Sequence, residues 1–236
     1  MAVAERDFAS AVEQASVSVA LWRTIGDQSG LAVGLTNLGR AQQAAGKNDE
    51  AMTAYRESLQ IAEATGSSTT VTSALTNMAT LDLLAGNLES ARAMNTRALG
   101  LLSERGDHWG SAVVRANLGD VACELWEADE AWKQYSEALA GFLRSGDLIH
   151  AAQVLRRFAA VAHYRGAAAE AATLAGAAAV VVERSGLTLD TGSTADHEET
   201  VQAVREALTD EEFAARWADG AAMDGEELLN FVSRAA

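Results

Sequence analysis

The sequence of 236 residues carries a formal net charge of −15, contains 49% hydrophobic and 6% aromatic residues, and has no proline. This acidic balance repels phosphate backbones and so argues against direct binding of nucleic acid. The single cysteine, Cys123, excludes an internal disulfide and a multi-cysteine metal site, and is typical of a reducing compartment. Because the sequence has no signal-peptide pattern and no uncharged apolar run of spanning length, we expect a soluble, cytoplasmic protein with no membrane partner.

Landmark residues recur every forty positions along the chain. They form four columns: Asn37, Asn77 and Asn117; Gly39, Ala79, Gly119 and Ala159; Ala11, Ala51, Ala91, Ala131 and Ala171; and Gly26, Gly66, Gly106, Gly146 and Gly186. A repeat of this kind predicts a solenoid, in which each unit buries its apolar face by stacking on its neighbours. We expect the glycines of the last column to close the units.

The first predicted element is a helix from about Asp7 to Ile25, because its apolar residues follow the three-and-four spacing of a helix with one buried face. In the forty-residue register, Arg6 falls in the turn that Gly46 and Gly86 occupy in later units. We therefore expect residues 1–29 to be a half unit that lacks its first helix, and the chain to be part of a longer protein.

Three full units follow, at about residues 30–66, 70–106 and 110–146. Their first helices are predicted at Leu31–Ala45, Val71–Ala85 and Ser111–Leu125. Acidic residues such as Asp49 and Asp129 suit the first turn of the second helices, because the N-terminal end of a helix is electropositive. The small residues Gly39 and Gly119 are predicted to let the two helices of a unit approach closely beside Tyr55 and Tyr135.

The fourth unit, at residues 148–186, keeps the register but has Arg157 in the asparagine column. A stretch at 189–197, rich in Ser, Thr, Gly and Asp, is predicted to be a loop. Helices then follow from about His197 to Leu208, from Thr209 with capping-box spacing, and near Gly225–Arg234. We expect residues 187–236 to form an acidic helical cap over the last apolar face.

The segment Thr36–Gln60 resembles the tetratricopeptide repeat: NLG is followed by Gly seven residues later, Ala five after that and Tyr four after that. Thr76–Gly100 and Ala116–Ala140 resemble it nearly as well. The forty-residue period is longer than the usual one of roughly thirty-four, and is similar to the long variant in MalT-like regulators and kinesin light chains. The resemblance implies an all-α fold, a right-handed superhelical solenoid of antiparallel helix pairs with a C-terminal helical cap.

The C-terminal segment also resembles a known group of proteins. Its most specific part, EEFAARWADGAAMDGEELL, looks like the end of large actinobacterial transcriptional regulators of the LuxR and AfsR kind. In those regulators a DNA-binding domain and an ATPase precede the repeats. This chain has no GxxxxGK[ST] phosphate loop and no recognisable helix-turn-helix, so the resemblance implies only the sensor or interaction part of such a signalling protein.

In the tetratricopeptide family the asparagine column points into the concave groove. This resemblance implies a site at Asn37, Asn77, Asn117 and Arg157, where amides could bond a peptide backbone. Further groove residues are predicted to be Arg40, Thr36, Thr76, Gln43, Asp120, Arg156, His163 and Tyr164. The alternative is that the asparagines stabilise helix packing.

No catalytic or metal-binding pattern is present. The four histidines lack paired ligand spacing, and Cys123 has no adjacent partner, so the sequence predicts a protein without a cofactor, a metal ion or enzymatic activity. The five tryptophans are interpreted as core or inter-unit packing rather than as stacking platforms for a ligand.

Three functional hypotheses remain. The first is a non-catalytic module whose concave groove binds a protein or peptide, including other domains of a parent regulator, or a small ligand. The second is a stand-alone scaffold that forms homo-oligomers through an open first unit, where Phe8, Val12 and Trp22 would expose apolar surface. The third is an enzyme on a helical-repeat frame with a pocket around His163, Tyr164 and Arg157.

Overall fold

A computed structural model describes residues 2–185 and 191–234, and every regular element within them is an α-helix. The predicted all-α fold is confirmed. The chain divides into two compact units, Met1–Gly106 and Asp107–Ala236. Within the described residues, no helix combines the length and the apolar character that crossing a bilayer requires.

The first unit contains five helices in its described part. They are α1 (Ala2–Ile25), α2 (Gln28–Ala44), α3 (Asn48–Thr65), α4 (Ser68–Leu84) and α5 (Leu88–Glu104). Each helix packs against the next one in the sequence, and α2 also contacts α4. This pattern of neighbour contacts is that of stacked helical hairpins, in which the first helices of successive repeats lie side by side.

The second unit continues the same alternation and adds three further helices. Its elements are α6 (His108–Glu124), α7 (Ala128–Ser145), α8 (Leu148–Tyr164), α9 (Ala168–Ser185), α10 (Thr191–Glu206), α11 (Asp210–Ala222) and α12 (Gly225–Arg234). The repeat helices pack in sequence order, α10 contacts α8 and α9, α11 lies on α9, and α12 lies on α7. The predicted boundary at residue 187 and the predicted closing glycine Gly186 lie outside the described residues.

The helices of a repeat are held together by a large side chain against a small one. Any Cβ atom on Gly39 would lie 2.5 Å from the ring of Tyr55, and a Cβ on Gly119 would collide with Tyr135 in the same way. Both tyrosine rings are fully buried. The predicted close approach of small residues and tyrosines is therefore confirmed.

The intervening repeat uses a different pair at the same two positions. There Ala79 replaces the glycine and Asn95 replaces the tyrosine, and both residues are buried. The methyl group of alanine is thus found where the opposite side chain is shorter. The oxygen Oδ1 of Asn95 is buried without a hydrogen-bond partner among the described residues.

The first helices of the repeats begin at Gln28, Ser68, His108 and Leu148. The first three start three residues before the predicted positions, because the N-cap residues Asp27, Ser67 and Asp107 were not recognised in the sequence. Asp27 accepts a hydrogen bond from the backbone N–H of Gly30 at 3.0 Å, and Asp107 and Asp147 occupy the equivalent position in later repeats. An N-cap carboxylate satisfies one of the backbone donors that a helix start leaves open.

Two further predictions are wrong. Helix α1 begins at Ala2 and continues through Arg6, where the repeat register predicted a turn, because the alanine-rich start favours a helix. Residues 191–196, predicted to be a loop, form the first turns of α10. In contrast, Gly26, Gly66, Gly106 and Gly146 close their repeats with φ between 65° and 79°, as predicted.

The C-terminal helices are attached to the repeats by two close contacts. The α9 and α11 backbones cross where Gly176 approaches the carbonyl of Trp217 and Gly220 approaches that of Thr173, so that neither position has room for a Cβ atom. Trp132 of α7 is buried and donates from Nε1 to the carbonyl oxygen of Val232 at 2.9 Å. These contacts hold α11 against α9 and α12 against α7.

We expect the substitution Gly39→Ala to lower the free energy of unfolding of the chain by about 1–3 kcal/mol, because overpacking the buried Tyr55 ring outweighs the better helix propensity of alanine. Urea unfolding followed by circular dichroism measures the change. In a Tyr55→Asn background, which reproduces the Ala79 and Asn95 pair, Gly39→Ala should cost about 0.5 kcal/mol or less. Equal costs in both backgrounds would contradict the proposed pairing.

Candidate functional site

A cavity of about 660 Å³ lies entirely within the second unit. One wall is a single face of α8, whose lining residues are spaced three and four apart. The end of α6 and the turn after it form the second wall, and the middle of α10 forms the third. The lining residues are Cys123, Glu124, Trp126, Ala128, Tyr135, Gln153, Arg156, Arg157, Ala160, Val161, Tyr164, Asp196, His197 and Thr200.

A hydrogen-bonded group closes the floor of this cavity. The hydroxyl of Tyr135 donates to Oδ1 of Asp120 at 2.7 Å, and Nε of Arg157 lies 3.1 Å from the same oxygen. The sulfur of Cys123 lies 3.5 Å from the Tyr135 hydroxyl. Asp120 therefore fixes the positions of a tyrosine from α7 and an arginine from α8.

Burial controls the protonation of the floor. It raises the pKa of the Asp120 carboxyl, although the Arg157 charge and the Tyr135 hydrogen bond oppose this shift. It also raises the pKa of the Cys123 thiol and raises that of Tyr135 well above its usual value. Cys123 is consequently a neutral thiol near pH 7, which is a poor nucleophile.

The wall that α10 contributes contains a neutral histidine. Burial and the nearby positive charge of Arg156 lower the pKa of His197 to about 4. Its Nδ1 atom is buried and has no hydrogen-bond partner among the residues that the structure describes. Burial also lowers the pKa of Arg156, and the carboxylate of Glu198 opposes that shift.

Two exposed aromatic side chains stand at the mouth of the cavity. Trp126 is 72% exposed and Tyr164 is 60% exposed, and their ring centroids are 5.0 Å apart. Trp126 is the one non-glycine residue of the described chain with a positive φ, at 61°. The equivalent turn positions are Gly46, Gly86 and Gly166, which adopt this conformation without steric cost.

The left-handed conformation costs a residue with a side chain about 1–2 kcal/mol. Trp126 thus departs from the glycine of the other repeats at a cost in backbone conformation. Neither Trp126 nor Trp109, which is 47% exposed, is a core residue. Both contact the next repeat, as the inter-unit part of the interpretation predicts: Trp126 lies against Tyr164, and Trp109 donates from Nε1 to Asp147.

The candidate residues of the second unit are only partly brought together. Arg156, Arg157 and Tyr164 line the cavity, and Asp120 bonds to one of them. Asn117 and His163 are half-buried and do not line it.

The candidate residues of the first unit have separate surroundings. Asn37 and Arg40 are exposed, whereas Asn77 and Thr76 are half-buried. Gln43 accepts a hydrogen bond from the Tyr55 hydroxyl at 3.0 Å. Thr36 is buried, and its hydroxyl pairs with that of Ser58 at 2.8 Å, which places Thr36 inside the packing of its hairpin.

Several lining residues were missed from the sequence. Gln153 follows from the same α8 spacing as Arg157, and Trp126 could have been found because it occupies a glycine position of the repeat. Nothing in the sequence marks Glu124 or His197 as cavity residues. Glu124 lines the cavity because α6 ends there, and His197 lines it because α10 packs on α8.

The arrangement offers surfaces for binding. Within residues 2–185 and 191–234, no three His, Cys, Asp or Glu side chains converge in a way that could hold a metal ion. The cavity instead combines exposed aromatic rings, fixed arginines and amide and hydroxyl groups, which are the components of ligand pockets.

Comparison with known proteins identifies the repeats. The family model of the tetratricopeptide repeat matches residues 31–104. This segment lies in the first unit, and repeats of this type generally mediate interactions between proteins. No curated protein matches the sequence significantly.

The solved structures support the fold over the remainder of the chain. The crystal structure of BtubC (BKLC) from P. vanneervenii is similar to this chain with a TM-score of 0.69, and the match covers 97% of this chain and 91% of that one. At 20% sequence identity, the similarity establishes the fold alone. The fold is an all-α helical-repeat solenoid of the tetratricopeptide type.

We expect Arg157→Met to raise the pKa of Asp120 further, because the substitution removes the charge that opposes burial. A carboxyl whose pKa is raised on folding contributes to stability below its unfolded pKa and loses that contribution as the pH rises through the folded pKa. The variant should therefore lose more stability at pH 7, by about 1.5 kcal/mol, than at pH 4. Carboxyl-carbon NMR titration and urea unfolding at the two pH values measure these changes.

The matched control is Arg115→Met, which removes the arginine that pairs with the exposed Glu137 in the same unit. Arg115 bonds Glu137 and Gln134 and is not a partner of Asp120. We expect its loss to leave the Asp120 titration unchanged. An Asp120 pKa that is the same in Arg157→Met and in the unsubstituted chain would contradict the coupling.

Proposed function

We propose that this chain is a non-catalytic interaction module that binds a segment of a partner protein or peptide in the cavity of its second unit. The observation that carries the proposal is the solvent-exposed pair Trp126 and Tyr164 at the mouth of a pre-formed cavity. The volume of about 660 Å³ suits one or two side chains of a peptide, since ligand pockets range from about 300 to 1,000 Å³.

The polar groups around the mouth suit a peptide as well. Gln153 and Thr200 supply amide and hydroxyl groups that can bond a peptide backbone, and Arg157 is held in place by Asp120. A ligand that meets fixed groups loses less of its binding free energy to ordering of the protein. The raised pKa of Cys123 supports a binding role over a catalytic one.

We further propose that the module belongs to a bacterial transcriptional regulator, in which it acts as the sensor or interaction part. The resemblance of EEFAARWADGAAMDGEELL to the ends of such regulators supports this assignment. Binding in the cavity would act by favouring one conformational state of the parent protein over another.

A phage-displayed random peptide library, panned on the purified chain, tests the binding function. We expect enriched peptides with a Kd of roughly micromolar, and at least about tenfold weaker binding to Trp126→Gly, which restores the glycine of the other repeats. Trp109→Phe is the control, because Trp109 is exposed in the same unit but lies outside the cavity. Failure to enrich peptides, or equal binding to Trp126→Gly, would overturn the proposal.

A second candidate function is self-assembly through the first unit. One face of α1 exposes Val17, Leu21 and Ile25, which are 56%, 57% and 66% exposed. This face differs from the predicted one, because Val12 and Trp22 are half-buried, whereas Phe8 is 42% exposed. A second copy of the chain is a suitable occupant, since stripes spaced four residues apart can pair symmetrically.

Sedimentation velocity as a function of protein concentration tests self-assembly. If α1 is an interface, we expect a dimer at high concentration that Leu21→Glu converts to a monomer, because a buried unpaired carboxylate opposes association. Glu13→Gln on the same helix is the control. A protein that stays monomeric at high concentration would exclude this function.

A further inference from the structure

The arginines that line the cavity have acidic neighbours, whereas two of its carboxylates have no basic partner among the described residues. Arg157 is paired with Asp120, and Arg156 has the carboxylate of Glu198 nearby. Glu124 and Asp196 also line the cavity, and neither side chain has a hydrogen bond or ion pair with any residue of the described ranges. Once the two arginines are matched with their acidic neighbours, two carboxylates are left facing the cavity.

Two helix ends at the mouth add to the negative electrostatic potential of these carboxylates. Helix α6 ends at Glu124 and α8 ends at Tyr164, so the C-terminal ends of both helices meet the cavity beside the aromatic pair. The C-terminal end of a helix carries a partial negative charge and attracts cations. His197, the remaining titratable group of the wall, is neutral near pH 7 and does not offset this potential.

The rings of Trp126 and Tyr164 are the third feature of the cavity that attracts a cation. The face of an indole or phenol ring attracts a cation through its quadrupole, and the attraction increases when carboxylates stand nearby and water is partly excluded. Trp126 is held at the mouth by a backbone conformation that glycine provides in the other repeats. Its ring contacts that of Tyr164 on one side, and most of its surface is left exposed to a ligand.

We propose that the cavity recognises an organic cation, an ammonium or guanidinium group, with Trp126 and Tyr164 as the aromatic surface and Glu124 and Asp196 as the countercharges. The proposal rests on the proposed function, because it names the chemical group by which a partner segment would enter the cavity: a basic side chain. The net charge of −15 acts in the same direction, since it draws cationic partners toward the protein.

The acidic alternative fits less well. A carboxylate ligand could bond Arg157, but it would stand beside Asp120, Glu124 and Asp196, and three like charges would oppose it. A cation also meets repulsion from the arginines, yet each arginine already has an acidic neighbour that reduces its field. We therefore expect the cavity to bind a cationic ligand more tightly than a neutral or anionic ligand of the same shape.

Three isosteric probes separate charge from shape: choline, the neutral 3,3-dimethylbutan-1-ol and the anionic 3,3-dimethylbutanoate. Each is titrated into the full chain at constant ionic strength while the indole N–H signal of Trp126 is followed by NMR. The signal is assigned by its loss in Trp126→Phe. We expect choline to shift it saturably, and both isosteres to bind at least about tenfold more weakly.

Substitutions test the countercharge. We expect Glu124→Gln to weaken choline binding by about threefold or more, since an exposed carboxylate near a cation contributes modestly. Glu104→Gln is the matched control, because Glu104 is likewise an exposed final residue of a helix, α5, and should leave binding unchanged. Thermal unfolding of each variant establishes that it is folded.

The outcomes separate this inference from the function on which it rests. Neutral or anionic isosteres that bind as tightly as choline would overturn the cation preference, and so would selected peptides that bind the cavity without a basic residue. Choline binding without any peptide enrichment would support the cation site while overturning the peptide-binding function. An unchanged affinity in Glu124→Gln would overturn the role of that carboxylate.

Discussion

The packing of a tyrosine ring over a residue without a side chain sets the distance between the helices of the repeats that contain Gly39 and Gly119. At Gly39 the ring of Tyr55 occupies the space of a Cβ atom, and Gly119 and Tyr135 repeat the arrangement. Because protein interiors are close-packed, the distance between two helices follows from the sum of the facing side chains. The repeat with Ala79 and Asn95 has a methyl group on one helix and a shorter side chain on the other, so that its hairpin forms with different residues.

This constraint explains why the fold was predictable from the sequence. A single chain presents the same interface several times, and residues that must fit each other recur at a fixed interval. The starts of the first helices were harder to predict from the sequence. Asp27 and Asp107 precede apolar residues by a few positions, and only the hydrogen bond to Gly30 or Gly110 identifies them as caps. Residues 191–196 have a loop-like composition but are helical, since local propensity is a weak guide for short polar segments.

The cavity was predictable only where it follows helix periodicity. Arg156, Arg157 and Tyr164 share one face of α8, so a correct register brings them together. Glu124 enters at the end of α6, and His197 enters because α10 packs on α8, which is a contact between distant parts of the sequence. The cavity forms where the sequence departs from the repeat: an arginine stands in the asparagine column, and a tryptophan stands in a glycine turn.

Each of these tyrosines has two separate roles, one for its ring and one for its hydroxyl group. The ring fixes the distance between the helices, and the hydroxyl at its far end has a different hydrogen-bond acceptor in each repeat. Tyr55 donates to the neutral amide of Gln43, and Tyr135 donates to the carboxylate of Asp120. The same ring packing therefore accommodates a neutral or a charged hydrogen-bond partner, supplied from different positions of the facing helix. Repeats built in this way can acquire new chemistry one position at a time, without a new fold to support it.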